Sequence, residues 1–174
     1  MPSTSRHQTE LSSTMLHPGQ QLPAFALPSA AGSTVRLWDY KQRQPLLIAL
    51  THGADCPACR AWLAAMARER TRLDEAQAAV LVLAPEPVER LRVLQAELDL
   101  PFTLLARDEH TAAAYLPAPG TGVALYAADR YGECVGAWHA ADADALPPLD
   151  APLADLALAD QGDCECTIPA WDRQ

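Results

Sequence analysis

The stretch LLIALTHGADCPAC, residues 46–59, decides the fold that we predict for this chain. An unbroken apolar run, residues 46–50, leads into a short polar turn, and the turn ends in the CxxC pair Cys56 and Cys59. Beyond this pair apolar side chains recur every three or four residues, which is the spacing of an amphipathic helix. The pattern predicts a buried strand, a tight turn and a helix over residues 57–74 that begins at the two cysteines.

This placement gives the two cysteines different roles. A thiol at the amino end of a helix faces unpaired backbone N–H groups and the positive end of the helix dipole. Both favour the thiolate, which is the nucleophilic form. Cys59 lies one turn further along, on the same apolar stripe as Leu63 and Met66. We therefore predict that Cys56 attacks a disulfide and that the buried Cys59 displaces the resulting mixed disulfide.

Length, charge and cysteine content limit the class of protein. A chain of 174 residues, 49% hydrophobic and 20% charged, suits a single globular domain. The net charge of -9 argues against nucleic acid or an anionic membrane as a partner. No apolar run approaches the ~20 residues that span a bilayer, and residues 1–20 lack a secretory signal pattern. We expect a reducing cytoplasm, where the five cysteines indicate redox catalysis or metal binding rather than structural disulfides.

Strands and helices alternate along the rest of the chain. We predict a disordered or loosely docked tail over residues 1–17, one domain over residues 18–162 and a cysteine-containing tail over residues 163–174. In addition to the strand and helix on either side of the cysteine pair, we predict a hairpin (23–28 with 34–38), a strand (78–85), a helix (86–98), a strand (101–105), a helix (108–116), a hairpin (123–127 with 134–138) and a helix (150–160). This order predicts an α/β fold of three α/β/α layers, with a mixed central sheet and an N-terminal β-hairpin extension. A CxxC pair between strand and helix in such a layout is typical of the thioredoxin-like fold.

Residues 18–138 resemble the thioredoxin superfamily, and more closely its peroxiredoxin-like branch, the alkyl hydroperoxide reductase/thiol-specific antioxidant (AhpC/TSA) type. The resemblance lies in PGQQLPAFALPSAAGSTVRL (18–37), LDLPFTLLARDEHTAAAYL (98–116) and ALYAADRYGECVGAW (124–138). It implies an antioxidant oxidoreductase with a redox-active disulfide and a role in cell redox homeostasis. The implied partners are protein or small-molecule disulfides, peroxides as an alternative substrate, an external thiol reductant and a second copy in a homodimer.

The chain departs from the peroxide-reducing pattern of that branch. Its members carry a Pro and a Thr or Ser, seven and three residues before the peroxide-attacking cysteine. Counted from Cys56 these offsets hold Ala49 and Gly53, and counted from Cys59 they hold His52 and Cys56. The arginine expected around residues 120–124 is also missing. The dithiol exchange itself is therefore the function that we predict, with peroxide reduction as an alternative.

Two residues next to the cysteines have opposite expected effects. Asp55 adds a negative charge that opposes a thiolate at Cys56, whereas a protonated His52 near the sulfur favours it. His52 is interpreted either as a loop residue that faces solvent or as an auxiliary redox residue. The sequence leaves both interpretations open.

The remaining cysteines have several interpretations. Cys164 and Cys166 belong to a docked tail, to an auxiliary redox pair that reduces the CxxC disulfide, or to a clamp for a soft metal ion. Cys134 in the closing hairpin is interpreted as a buried structural cysteine. The CxxC pair supplies two of the four ligands of a zinc site, so we predict neither a metal nor a cofactor. A soft-metal-binding module is nevertheless kept as a second alternative function.

Overall fold

A computed structural model describes residues 15–118 and 121–162. Within these ranges the chain forms seven strands and five α-helices, in the order that the sequence predicts except that one predicted helix is divided into two. They are β1 (Ala26–Pro28), β2 (Thr34–Arg36), β3 (Leu46–Leu50), α1 (Pro57–Arg68), α2 (Arg70–Glu75), β4 (Ala79–Ala84), α3 (Val88–Glu97), β5 (Thr103–Ala106), α4 (Glu109–Tyr115), β6 (Val123–Ala128), β7 (Cys134–Ala140) and α5 (Asp150–Gly162). Strands β1 and β2 pair with each other as the predicted N-terminal hairpin.

The central sheet has five strands in the order β5-β4-β3-β6-β7. Strands β3, β4 and β5 are parallel, β6 runs antiparallel to β3, and β7 runs antiparallel to β6, which confirms the mixed sheet. In the middle strand β3, Leu50 lies opposite Leu83 of β4 and Ala124 of β6. Residues 46–50 are all buried because both faces of the sheet are covered. This is the physical reason for an unbroken apolar run rather than an alternating one.

Two hydrophobic clusters cover the two faces of the sheet. On one face Leu63 of α1, Leu91 of α3 and Leu156 of α5 pack against the strands. On the other face Phe25 from the N-terminal segment and Tyr115 of α4 pack against them. The result is the predicted three-layer α/β/α arrangement, with the N-terminal hairpin contributing to the second outer layer.

The predicted single helix over residues 57–74 is wrong in one respect. It is divided at Glu69, where φ is -88° and ψ is 15°, into α1 and α2. The N–H of Glu69 bonds to the carbonyl of Met66, three residues back, rather than four. Leu73 remains buried after the break, so the apolar spacing continues across it and conceals it. The break lies more than two turns beyond the cysteines.

The predicted tails fall mostly outside the described residues. Leu16, at the end of the predicted N-terminal tail, is buried against the face of the sheet that the hairpin covers. Residues 1–14 and 163–174 are not described. None of the helices in the described ranges has the length and apolar character needed to cross a membrane.

Candidate active site

The CxxC pair lies where β3 leads into α1, as the sequence predicts. Cys56 is the N-cap of α1, Pro57 is the first helical residue, and the N–H of Cys59 points at Cys56 Sγ over 3.4 Å. Cys56 is partly exposed, whereas Cys59 is only 1% exposed. Both cysteines are free thiols. The structure thus separates an accessible sulfur from a buried one, which the exchange of a mixed disulfide requires.

His52 turns back towards both sulfurs. Its ring Nδ1 lies 3.7 Å from Cys56 Sγ and 3.7 Å from Cys59 Sγ. Its backbone N–H donates to Cys59 Sγ over 3.5 Å. The side chain is half-buried, so the interpretation of His52 as a solvent-facing loop residue is wrong. The structure places this imidazole where one nitrogen can exchange a proton with either thiol.

Burial perturbs the thiol of Cys59. Loss of solvation raises the pKa of Cys59 to about 11, opposed in part by the N–H of His52 and reinforced by Cys56. Cys59 is therefore a protonated thiol near neutral pH. It needs a base before it can act as a nucleophile, and the ring nitrogen of His52 is in contact with its sulfur.

Residues after β4 brace the loop in front of the cysteines. Glu86 Oε1 accepts a hydrogen bond from the N–H of Ala54 over 3.0 Å, and Arg90 Nη2 bonds to Asp55 Oδ1 over 2.6 Å. Gly53 has φ +148°, and a Cβ there would lie 2.8 Å from Glu86 Oε1. The pairing with Arg90 also weakens the expected opposition of Asp55 to a thiolate at Cys56, because the charge of this carboxylate has a partner that no local sequence pattern indicates.

Arg107 approaches the same loop from the end of β5. Its Nη2 donates to the carbonyl of Thr51 over 3.3 Å, directly before His52. Its Nε is buried without a hydrogen-bond partner among the described residues, and burial lowers the pKa of the guanidinium. The sequence does contain an indication that Arg107 and Glu86 lie near the cysteine pair. Both follow apolar strands of a parallel sheet, whose carboxyl ends meet at the edge that carries the CxxC pair.

The other predicted cysteines lie apart from this site or outside the described residues. Cys134 is fully buried, donates to the carbonyl of Gly136 and has its pKa raised to about 11 by burial, in line with a structural role. Cys164 and Cys166 are not described. The helix that leads to them, α5, ends beside Gln77 and Arg130 at the opposite end of the sheet from the CxxC pair.

The site holds three donor atoms that bind soft metal ions. The ligand atoms of His52, Cys56 and Cys59 all lie within 4.8 Å of one another. Among the residues that the structure describes, this is the one group of three or more histidine, cysteine or acidic side chains close enough to hold an ion. The sequence indicates two sulfur ligands, Cys56 and Cys59. The imidazole of His52 adds a third donor atom because this side chain turns back towards both sulfurs.

A thioredoxin-like fold with a dithiol at the amino end of α1 is typical of thiol oxidoreductases, and this is the class of protein that the fold and the site indicate. The sequence profile of the AhpC/TSA family matches residues 18–125, which is well over half of the chain. The chain belongs to the AhpC/TSA family and is a thiol oxidoreductase of the thioredoxin-like, peroxiredoxin-like type. None of the curated proteins matches its sequence.

Solved structures of peroxiredoxins share the fold. Peroxidoxin BcpB from Mycobacterium tuberculosis is 18% identical, with a TM-score of 0.72 over 81% of this chain and 96% of that one. Thiol peroxidase from Chromobacterium violaceum is 22% identical, with a TM-score of 0.66 over 86% and 90%. Peroxiredoxin Q from Xanthomonas campestris is 17% identical, with a TM-score of 0.65 over 79% and 91%. At these identities the likeness is one of fold.

Proposed function

We propose that the protein reduces disulfides by dithiol exchange through Cys56 and Cys59, with His52 as the acid–base group. The observation that carries this proposal is the position of His52 Nδ1, 3.7 Å from each sulfur, at the amino end of α1. Protein or small-molecule disulfides are the substrates, and an external thiol restores the reduced state. The proposal includes a cytoplasmic location, since a reducing compartment keeps the attacking dithiol reduced.

The first step is attack by Cys56. Its thiolate forms a bond to one sulfur of the substrate disulfide, and the substrate S–S bond breaks with its electron pair leaving on the other sulfur. The N–H of Cys59 and the amino end of α1 stabilise the attacking thiolate. Because Cys56 is partly exposed, a substrate sulfur can approach it in line with the bond that breaks.

The second step is displacement by Cys59. Its proton passes to the neutral ring of His52, and the resulting thiolate attacks Cys56 Sγ. The mixed disulfide breaks and the second substrate sulfur leaves as a thiolate. Two electrons have then moved from the protein to the substrate, which leaves as two thiols while Cys56 and Cys59 form a disulfide.

Peroxide is the second candidate substrate, favoured by membership of the AhpC/TSA family. In that reaction the Cys56 thiolate attacks one peroxide oxygen, an alcohol or water leaves, and the sulfenic acid condenses with Cys59 to a disulfide and water. The positions of the family's Pro and hydroxyl residue hold Ala49, which is fully buried, and Gly53. Neither offers a side-chain hydrogen bond to a peroxide, so we rank disulfides first. The homodimer that the resemblance implies stays a prediction.

The test compares two oxidants in single-turnover reactions of the reduced full chain. We expect a model disulfide to oxidise the CxxC pair rapidly and Cys56→Ser to abolish that reaction. Hydrogen peroxide should oxidise it no faster than it oxidises an ordinary free thiol. Undiminished disulfide reduction by Cys56→Ser would contradict the proposal, and fast oxidation by peroxide would make peroxide the substrate.

A further inference from the structure

We infer that His52, Cys56 and Cys59 together bind a thiophilic d¹⁰ ion, Zn²⁺ or Cu⁺, when the dithiol is reduced. This is a second activity of the same three residues and does not follow from disulfide exchange. The inference rests on the spacing of the three donor atoms, on the N–H groups directed at the sulfurs and on the accessible side of the site.

The donor spacing matches the geometry of a bound ion. Zinc bonds are about 2.3 Å to sulfur and about 2.0–2.1 Å to nitrogen, which places nitrogen and sulfur about 3.6 Å apart at the tetrahedral angle and about 3.8 Å apart at the trigonal angle. The observed separation is 3.7 Å from His52 Nδ1 to each of the two sulfurs. The two sulfurs also lie within 4.8 Å of each other, so an ion can contact the imidazole and both sulfurs once the cysteine side chains adjust around it.

The surrounding backbone supports two thiolates at once. The N–H of His52 donates to Cys59 Sγ and the N–H of Cys59 donates to Cys56 Sγ. Hydrogen bonds from outside the ligand set orient metal ligands and stabilise their charge. The His52 loop is itself fixed by Glu86, which accepts from the N–H of Ala54. The ligands therefore come from a loop and a helix turn that are already held in place.

The ligand set selects the type of ion. Two thiolates and an imidazole suit Cu⁺ and Zn²⁺, whereas Mg²⁺, Ca²⁺ and Mn²⁺ prefer oxygen donors. Three donors are enough for a trigonal Cu⁺ ion. A tetrahedral Zn²⁺ ion needs one more ligand, and the partly exposed side of Cys56 leaves that position open to water or to a substrate thiolate.

Metal binding and disulfide exchange exclude each other. When a substrate disulfide takes two electrons from the dithiol, both sulfurs become part of the Cys56–Cys59 bond and cease to be thiolate ligands. The ion is then released. Conversely, a bound ion occupies the electron pair with which Cys56 attacks, so saturating metal should inhibit disulfide reduction.

The test uses the full chain, reduced, freed of metal and kept without oxygen. Zn²⁺ and Cu⁺ are titrated in separate arms against a chromophoric chelator for each ion, and Co²⁺ is added as a spectroscopic substitute for Zn²⁺. We expect one tightly held ion per chain and a thiolate-to-cobalt charge-transfer band. His52→Ala, Cys56→Ser and Cys59→Ser should each weaken binding at least tenfold.

Matched controls separate this site from the other cysteines and histidines. The double variant Cys164→Ser/Cys166→Ser and the variants Cys134→Ser and His110→Ala should keep both the stoichiometry and the affinity. Binding that is lost in the double variant but kept in His52→Ala would overturn the inference, and so would the absence of any ion that survives competition.

A disulfide-reduction assay on the same samples distinguishes this inference from the proposed function. Normal reduction by a protein that binds no ion overturns the metal site and leaves dithiol exchange standing. Tight binding that requires all three residues supports the metal site even if no disulfide is reduced. Because His52 is half-buried in a loop, His52→Ala tests the ligand without removing a core side chain.

Discussion

His52 contacts Cys59 twice, through its ring and through its backbone, although the two residues are seven positions apart in the sequence. The backbone N–H lies 3.5 Å from Cys59 Sγ and the ring Nδ1 lies 3.7 Å from the same atom. One contact donates a hydrogen bond to the sulfur and the other can accept its proton. A single residue is therefore placed both to orient the buried thiol and to accept its proton in the exchange that we propose.

Replacing His52 by Ala should slow the second step of exchange more than the first. Cys59 then loses the base in contact with it, and general acid–base groups typically contribute about 10²–10⁴-fold to a rate. We expect release of the second product thiol to slow by at least an order of magnitude, measured in single turnovers with a model disulfide. His110→Ala, at an exposed histidine of α4, is the control and should react normally. Equal rates in His52→Ala and the wild-type protein would exclude the role in proton transfer.

Cys59→Ser should trap the mixed disulfide on Cys56. The serine hydroxyl cannot displace a disulfide, so the reaction stops after the first step. Mass spectrometry of the protein treated with a model disulfide should show one substrate thiol attached to Cys56. Cys134→Ser, which keeps a hydrogen-bond donor towards Gly136, is the matched control and should complete the reaction. A trapped adduct on a cysteine other than Cys56 would reverse the assignment of roles.

The local part of the site can be predicted from the sequence because it depends on neighbours in the chain. The apolar run at 46–50 reflects a strand covered on both faces. The partial exposure of Cys56 and the burial of Cys59 follow from their positions at the amino end of α1. Helix α4 likewise begins where the sequence predicts a helix over residues 108–116, since Asp108 is its N-cap and accepts from the N–H of Thr111 over 2.7 Å.

The rest of the site depends on contacts that no local pattern encodes. Asp55 meets Arg90 across 35 positions of sequence, and Thr51 meets Arg107 across 56. The direction of the His52 side chain depends on the turn at Gly53, and a single residue in a polar loop has no periodicity from which to read it. The sequence thus predicts where the two sulfurs of the CxxC pair lie but not the groups that surround them.

The stability of the fold should fall as the pH decreases from about 7 to 5, in part because of His139. Burial lowers the pKa of this histidine, which contacts the hydroxyl of Tyr126. A lowered folded-state pKa means that the unfolded chain binds the proton more tightly. The stabilising contribution is therefore complete above the unfolded pKa of about 6.5 and is lost as the pH falls below it.

Chemical denaturation at several pH values measures this contribution, with His139→Gln as the variant. The loss of stability between pH 7 and 5 should be smaller in His139→Gln than in the wild-type protein. Burial raises the pKa values of Tyr115, Tyr126 and Cys134 near this ring, so these groups remain neutral over the range. The charge of His17 also lowers the pKa of His139, so the pH profile of His17→Gln is measured as a further control. An identical pH profile in His139→Gln would exclude the effect.

Gly53→Ala should damage both the stability of the fold and the exchange reaction. The backbone at this position has φ +148°, which L-residues rarely adopt, and the new Cβ would lie 2.8 Å from Glu86 Oε1. Strain of this kind costs about 1–3 kcal/mol. Relief of the clash requires Glu86 to move, and that movement weakens its hydrogen bond to Ala54 and displaces the loop that holds His52. We therefore expect a lower free energy of unfolding together with slower exchange.

Gly32→Ala provides the matched control for this prediction. Gly32 also has a positive φ, +89°, but a Cβ there would meet no atom within 4 Å, and the residue lies in the turn between β1 and β2. Gly32→Ala should also be strained in its backbone and should therefore lose stability. At a temperature where both variants are folded, however, it should reduce disulfides at the wild-type rate. Both variants carry the backbone strain of a positive φ, but only Gly53→Ala introduces a clash with Glu86. The difference between their rates of disulfide reduction therefore measures how far the packing of Gly53 against Glu86 positions His52. Equal rates in the two variants would show that this packing supports the fold without positioning the imidazole.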